Sequence, residues 1–230
     1  MANCIIILGK TGTGKSTSIK GLNPKETVVI NTLRKKLPFR GSAALYNKEA
    51  KNLFCLESYQ DVVNYLRMID EKAKLVKNVV LDDSIFVMRK EFFARAKESG
   101  YGKFTELAAH YQQIIATCET LREDLNVFFI LHSEDVVSDG SIVGYKVATV
   151  GKMLDSQYNP IEVVPMVLYS AIKYDNKGVA TFGFYTHACK EGNVEIPAKT
   201  PDGMFDEDFI PNDLGIVVKK MDEYYNSPEA

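Results

Sequence analysis

The chain has 230 residues, 46% hydrophobic and 25% charged, with a formal net charge of −2; this is an ordinary globular composition with room for one large core. No apolar run approaches the roughly 20 residues of a membrane span. The four cysteines (Cys4, Cys55, Cys118, Cys189) are scattered with no CxxC pair, which argues against a metal site made from them and fits thiols in a reducing, cytoplasmic compartment. The charge is unevenly divided. Residues 1–40 hold eight Lys or Arg against one acid, Glu26, whereas the last 31 residues hold eight acids against Lys219 and Lys220. Both ends read either as solvated faces or as surfaces for an anionic ligand or a second subunit.

The first predicted element is the strand Cys4-Ile5-Ile6-Ile7-Leu8. It lacks the basic flank of a signal peptide and reads as a core strand. It runs into Gly9-Lys10-Thr11-Gly12-Thr13-Gly14-Lys15-Ser16, and a helix is predicted to open at Thr17. The spacing G-x-x-x-x-G-K-S, between a strand and a helix, is a complete P-loop. Glycines let the backbone close on a polyphosphate, and the helix start presents free N–H groups and a positive dipole end. Gly9, Thr11, Gly12, Thr13, Gly14, Lys15, Ser16 and Thr17 are therefore the candidate nucleotide-binding residues. Lys15 supplies charge for the β- and γ-phosphates, and the Ser16 hydroxyl is a candidate Mg²⁺ ligand.

Thr27 to Asn31 is a second strand. It leads into a basic loop containing Arg34, Lys35, Lys36 and Arg40, punctuated by Pro38 and Gly41. Leu53 to Leu56 is a third apolar run, and Ser58 with Asp61 signals a helix start with Val62, Val63, Leu66 and Ile69 on one face. Asn78-Val79-Val80-Leu81-Asp82-Asp83 is the second chemical motif, about 65 residues beyond the P-loop. A buried strand ending in carboxylates is a Walker B pattern. Asp82 is the candidate metal ligand. Asp83 either orients or deprotonates the attacking water, or caps the helix that follows.

Helices are predicted over Ile85–Ser99 and Phe104–Glu123, broken by Gly100-Tyr101-Gly102. The strand Val127–Leu131 ends at His132, where ligands sit in open α/β sheets. His132 reads as a γ-phosphate sensor or as a hydrogen-bonded core residue, with Glu134 and Asp135 near enough to orient it or serving as loop charges. Beyond this, Ile142–Thr149, Glu162–Ile172 and Val179–Thr186 are β-like, the last two as an antiparallel hairpin. Pro197–Asp213 is loop-rich, and Leu214–Tyr225 is a closing helix. No convincing linker interrupts the chain, so one domain over 1–230 is expected, with a core over about 1–135 and a β extension and closing helix over about 136–230.

The arginines stop at Arg122. A sensor arginine in a C-terminal helical lid, usual in AAA+ ATPases, has no candidate here, nor has the arginine-rich lid of nucleotide kinases. No NKxD supports guanine specificity. A trans-acting cation in the later half must be a lysine, with Lys146 and Lys152 the candidates.

On these features the chain resembles the RecA-like ATPases, and more narrowly the phage-encoded RecA-like ATP-binding proteins that include single-strand annealing ATPases. The resemblance rests on Gly9–Ser16, Asn31–Gly41, Val79–Asp83, Tyr101-Gly102-Lys103-Phe104, Leu131-His132-Ser133-Glu134, Val150-Gly151-Lys152-Met153-Leu154, Pro201–Phe205 and Ile210–Leu214. It implies an α/β P-loop NTPase fold: a RecA-like, mostly parallel sheet flanked by helices and extended by antiparallel strands in the C-terminal part. It also implies ATP with Mg²⁺, single-stranded DNA as partner, homo-oligomers in which Lys152 reaches a neighbour's nucleotide, and a host-cytoplasmic location. Arg34, Lys35, Lys36 and Arg40 are the candidate DNA contacts, and Phe39 and Tyr46 are either base-stacking or core residues. One departure stands out. The catalytic glutamate that many RecA-like ATPases carry after the second strand is replaced by Asn31-Thr32, so Asp83 or Glu57 takes the role or hydrolysis is slow. The alternatives are a nucleotide-gated assembly protein with little turnover and, behind it, a nucleotide kinase.

Overall fold

The computed structural model describes residues 1–149 and 159–226. Strands β1 (Asn3–Gly9), β2 (Thr27–Asn31), β3 (Leu53–Phe54), β4 (Asn78–Asp82), β5 (Asn126–Ser138) and β7 (Met166–Tyr174) form a parallel set in the order β7-β1-β5-β4-β2-β3. Strands β8 (Ala180–Tyr185) and β11 (Phe209–Pro211) extend it antiparallel beyond β7. A small annex consists of β6 (Ser141–Val147), β9 (Cys189–Glu191) and β10 (Val194–Ile196). The expected α/β fold with a mostly parallel sheet and antiparallel additions is present.

The sheet has two buried faces, so its strands read as unbroken apolar runs and not as alternating ones. Ile6, Leu8, Val79, Leu81, Val127 and Phe129 face α2 (Tyr59–Lys72) and α4 (Gly102–Thr117), packing on Val62, Leu66, Leu107 and Ile114. Ile5, Ile7, Val80, Phe128 and Ile130 point the other way, onto Ile19, Tyr46, Leu214 and Val217. The last two belong to the C-terminal helix (Leu214–Asn226), predicted at nearly the same bounds. Ser58 caps α2 as expected, its hydroxyl accepting from Asp61 N at 3.1 Å.

Register brings the functional strand ends into line. Gly9 lies opposite His132 on one side and Ser170 on the other, and Asn31 lies opposite Asp82.

Four expectations are corrected. The P-loop opens not into an α-helix but into a six-residue 3-10 helix, Ser16–Gly21. Ser16, Thr17 and Ser18 are weak helix formers, and Gly21 and Pro24 end the turn. The strand ending at His132 continues to Ser138 as the first arm of a hairpin with β6, turning at Asp139-Gly140, both at positive φ. The run Glu162–Ile172 is divided: Asn159 and Pro160 start a four-residue helix, Pro160–Val163, before β7 begins. And β7, grouped by sequence with the antiparallel extension, runs parallel to β1 inside the core. Hydrophobic pattern reports burial but not the direction of a strand's partner. Among the described residues no helix is long and apolar enough to cross a membrane.

Candidate functional site

The P-loop is shaped from beneath. Gly9 ends β1 with no space for a side chain: a Cβ there would lie 2.6 Å from the Ser170 carbonyl oxygen. Gly12 and Gly14 take φ of 85° and 93°, conformations that favour glycine. Buried Ser170 donates to the Thr13 carbonyl at 2.9 Å, and Asn212 donates its amide to the Gly14 carbonyl at 2.8 Å. Thr13 Oγ1 turns back to the Lys10 carbonyl at 2.9 Å. With these carbonyls occupied from below, the loop is held as a concave strap.

That strap floors a cavity of about 780 Å³. One end is cationic and acidic, with Lys15, Ser16, Lys35, Asp82, Asp83 and His132 on its wall; the other holds Thr17, Gly21, Phe182, Asn212 and Asp213. Lys15 is buried, with Nζ donating to the carbonyls of Gly9 at 2.8 Å and Lys10 at 2.7 Å. Burial lowers its pKa to about 8, against the pull of Asp83 and Asp82. Because only a short 3-10 helix follows the loop, helix-dipole help for an anion would be small, and Lys15 is the cation on the cavity wall nearest the loop carbonyls.

The two acids of β4 are chemically distinct. Asp82 accepts from Ser16 Oγ at 2.6 Å, and burial pushes its pKa up to about 6 despite that bond. Asp83 sits just past the strand at φ 56°, a left-handed conformation costly for a non-glycine residue. Buried Thr32 secures it: its hydroxyl lies 2.8 Å from the Asp83 carbonyl and 3.2 Å from that of Asp82. The Asp83 carboxylate meets His132 Nε2 at 2.9 Å and Lys35 Nζ at 2.7 Å. Burial alone raises its pKa, but the bonds from His132 and Lys35 outweigh it and hold the group at about 2. Neither carboxylate caps the helix that follows, α3 (Phe86–Ala94), which has no side-chain cap.

His132 bridges the two motifs, with Nδ1 3.4 Å from Thr11 Oγ1 and Nε2 on Asp83. Glu134 and Asp135 do not orient it; they pair with Lys146 and Lys10. Glu57, the other candidate base, lies off the cavity wall, paired with Arg34 at 2.8 Å and Lys90 at 3.0 Å. Lys36 lines the cavity, Arg40 is exposed, and Tyr46 is a buried core residue with Phe39 edge-on against it at 6.2 Å. Lys152 lies outside the described residues.

A serine hydroxyl beside a buried carboxylate is an oxygen pair suited to a hard cation. Among the described residues no three His, Cys, Asp or Glu are grouped to hold a metal unaided. An Mg²⁺ ion here fits as one that takes its other ligands from phosphate and water.

Sequence reasoning missed Ser170, Phe182, Asn212 and Asp213 as cavity builders and did not place Lys35 on Asp83. Asn212, Asp213 and Lys35 lie in stretches on which the resemblance rests, but nothing there gave them a place at the cavity, and no motif marks Ser170 or Phe182; they reach the site only through β7 and β8, the closing segment and the fold of the basic loop. A family model described as an AAA domain matches residues 1–183. No curated protein matches the chain. The match spans the P-loop, both acids of β4 and His132, and stops short of Asn212 and Asp213. The match corrects the expectation drawn from the arginines: an AAA domain is present although the sequence has no arginine after Arg122. With four-fifths of its length inside the match, the chain belongs to the AAA domain family of P-loop ATPases.

Proposed function

We propose that the protein is an ATPase that binds Mg-ATP at this cavity, hydrolyses it, and acts on single-stranded DNA in phage-type recombination or replication as a homo-oligomer. The observation that carries the ATPase reading is the adjoining pair of contacts Ser16–Asp82 and His132–Asp83 beside the P-loop. Ser16 and Asp82 would hold the cation, which when bound neutralises charge on the phosphate oxygens. Asp83 faces the phosphate end and takes the proton of the attacking water. The water oxygen bonds to the γ-phosphorus, the bond from that phosphorus to the bridging oxygen breaks, and ADP leaves. His132 holds the Asp83 carboxylate and, through Thr11, senses the position of the loop.

The DNA reading is supported by the basic first forty residues, by exposed Lys36 and Arg40, and by the resemblance to annealing ATPases. Arg34 and Lys35 are engaged with Glu57 and Asp83, which leaves Lys36 and Arg40 as the better contacts for phosphates. Lys152 from a neighbouring subunit remains our candidate for a cation acting in trans.

A second reading, a nucleotide-gated assembly protein with little turnover, is favoured by one observation. Asn31, where a glutamate was sought, is tied into the basic loop and offers no base. Steady-state ATP hydrolysis with and without single-stranded DNA, beside Asp83→Asn, separates the two. DNA-stimulated turnover that Asp83→Asn abolishes supports the ATPase. Tight binding with no turnover in either condition supports the assembly protein.

A further inference from the structure

The loop after β2 folds inward at one residue. Asn31 accepts from Leu33 N at 3.0 Å through Oδ1 and donates from Nδ2 to the Lys35 carbonyl at 2.5 Å, closing a tight turn. Arg34 takes φ of 55° within that turn and pairs outward with Glu57. The result aims the Lys35 side chain into the phosphate end of the cavity, where Nζ meets Asp83 Oδ2 at 2.7 Å. Its charge acts on Lys15 and on Asp82 as well. The two partners differ in freedom. The Asp83 side chain is 8% exposed and is also held by His132, with its backbone fixed by Thr32; the Lys35 side chain is 57% exposed. If one partner moves, it is the lysine.

We propose that Lys35 is a reader of the terminal phosphate: a bound nucleoside triphosphate draws its ammonium from Asp83 onto the γ-phosphate, and a diphosphate does not. This rests on the nucleotide-site reading above. A γ-phosphate carries more charge than the single carboxylate and lies in a cavity already lined by Lys15, so it is the stronger partner for a nearby ammonium. The exchange gives the site its preference for triphosphate, and it bares the Asp83 carboxylate only when there is a γ-phosphate to attack. Asn31 then has a positive role: it builds the turn that delivers a cation within the same chain.

The test is equilibrium binding of fluorescently labelled ADP and of a non-hydrolysable, equally labelled ATP analogue, both with Mg²⁺, to the wild type, Lys35→Ala and Lys35→Arg. Thermal unfolding of each variant verifies that it is folded. Lys35→Ala is expected to lose about tenfold in affinity for the triphosphate analogue while ADP affinity stays within about twofold, and Lys35→Arg to recover most of the loss. Equal losses for both nucleotides, or none for either, overturn the proposal while leaving the nucleotide site intact. A folded wild type that binds neither nucleotide overturns the site itself and the proposal with it.

Discussion

Thr32 is the side chain on which the geometry of both acids depends. It is fully buried, and its hydroxyl lies against the carbonyls of Asp82 and Asp83, the second a non-glycine residue at a left-handed φ of 56°. Thr32→Val keeps the shape and removes the donor. Phe86 N and Thr32 N still donate to the Asp83 and Asp82 carbonyls, so the substitution is expected to destabilise the protein by only about 0.5–1.5 kcal/mol, the net worth of one hydrogen bond, and to reduce turnover more than nucleotide affinity. Urea unfolding and steady-state kinetics measure the two effects. At the other end of the cavity Phe182 is 42% exposed and packs beside Gly14, an open aromatic face next to the P-loop. Phe182→Ala is expected to weaken ATP binding by roughly 1–3 kcal/mol if a base stacks there, with little change in unfolding midpoint; isothermal titration checks the first and thermal unfolding the second. The placement of the P-loop and of the β4 acids beside one another was legible because each is a continuous stretch whose residues stand together in the chain. Phe182, Ser170 and Lys35 were not, because each is an ordinary residue brought to the cavity or the loop by a partner far away in sequence.

Between elements, the C-terminal helix meets the 3-10 turn after the P-loop with no space to spare. A Cβ on Gly21 would sit 1.6 Å from Asp213 Oδ1, and one on Gly215 would sit 2.3 Å from the Gly21 carbonyl oxygen. Asp213 also accepts from Gly215 N at 2.7 Å at the start of that helix. Gly21→Ala therefore displaces Asp213, and Asn212 with it, from beneath Gly14. We expect about 1–3 kcal/mol of destabilisation together with weaker nucleotide binding, whereas Gly203→Ala, also glycine to alanine but in open space at φ 74°, costs only its backbone strain. Comparing nucleotide affinity of the two variants separates the effects. The coupling was invisible in sequence. The helix itself was clear from its periodicity, but nothing in Leu214–Asn226 says that it braces a loop two hundred residues earlier. The same holds for β7: its apolar run announced a buried strand, and only the pairing with β1 showed that it belongs to the parallel core.

At the scale of the whole molecule, the P-loop strand β1 and the acid-bearing strand β4 are separated by β5, so the nucleotide site spans three adjacent strand ends. His132, on the middle one, is placed by this order to touch both motifs. The charge asymmetry acts at this scale too. If Lys36 and Arg40 contact DNA phosphates, the double alanine variant should flatten the slope of log affinity against log salt for single-stranded DNA by about 1.4, the release of counterions from two phosphates. An unchanged slope removes these two residues from the DNA surface without touching the nucleotide site. The central claim is that Lys15, Ser16 and Asp82 form an Mg-ATP site. Its most direct test is isothermal titration of the purified protein with ATP, with Mg²⁺ and with EDTA, beside Lys15→Ala and Asp82→Asn. Wild-type protein should bind ATP saturably and more tightly with Mg²⁺, Lys15→Ala should lose binding, and Asp82→Asn should bind without responding to Mg²⁺. Wild-type protein that binds no ATP, or a Lys15→Ala variant that binds it equally well, would rule the site out.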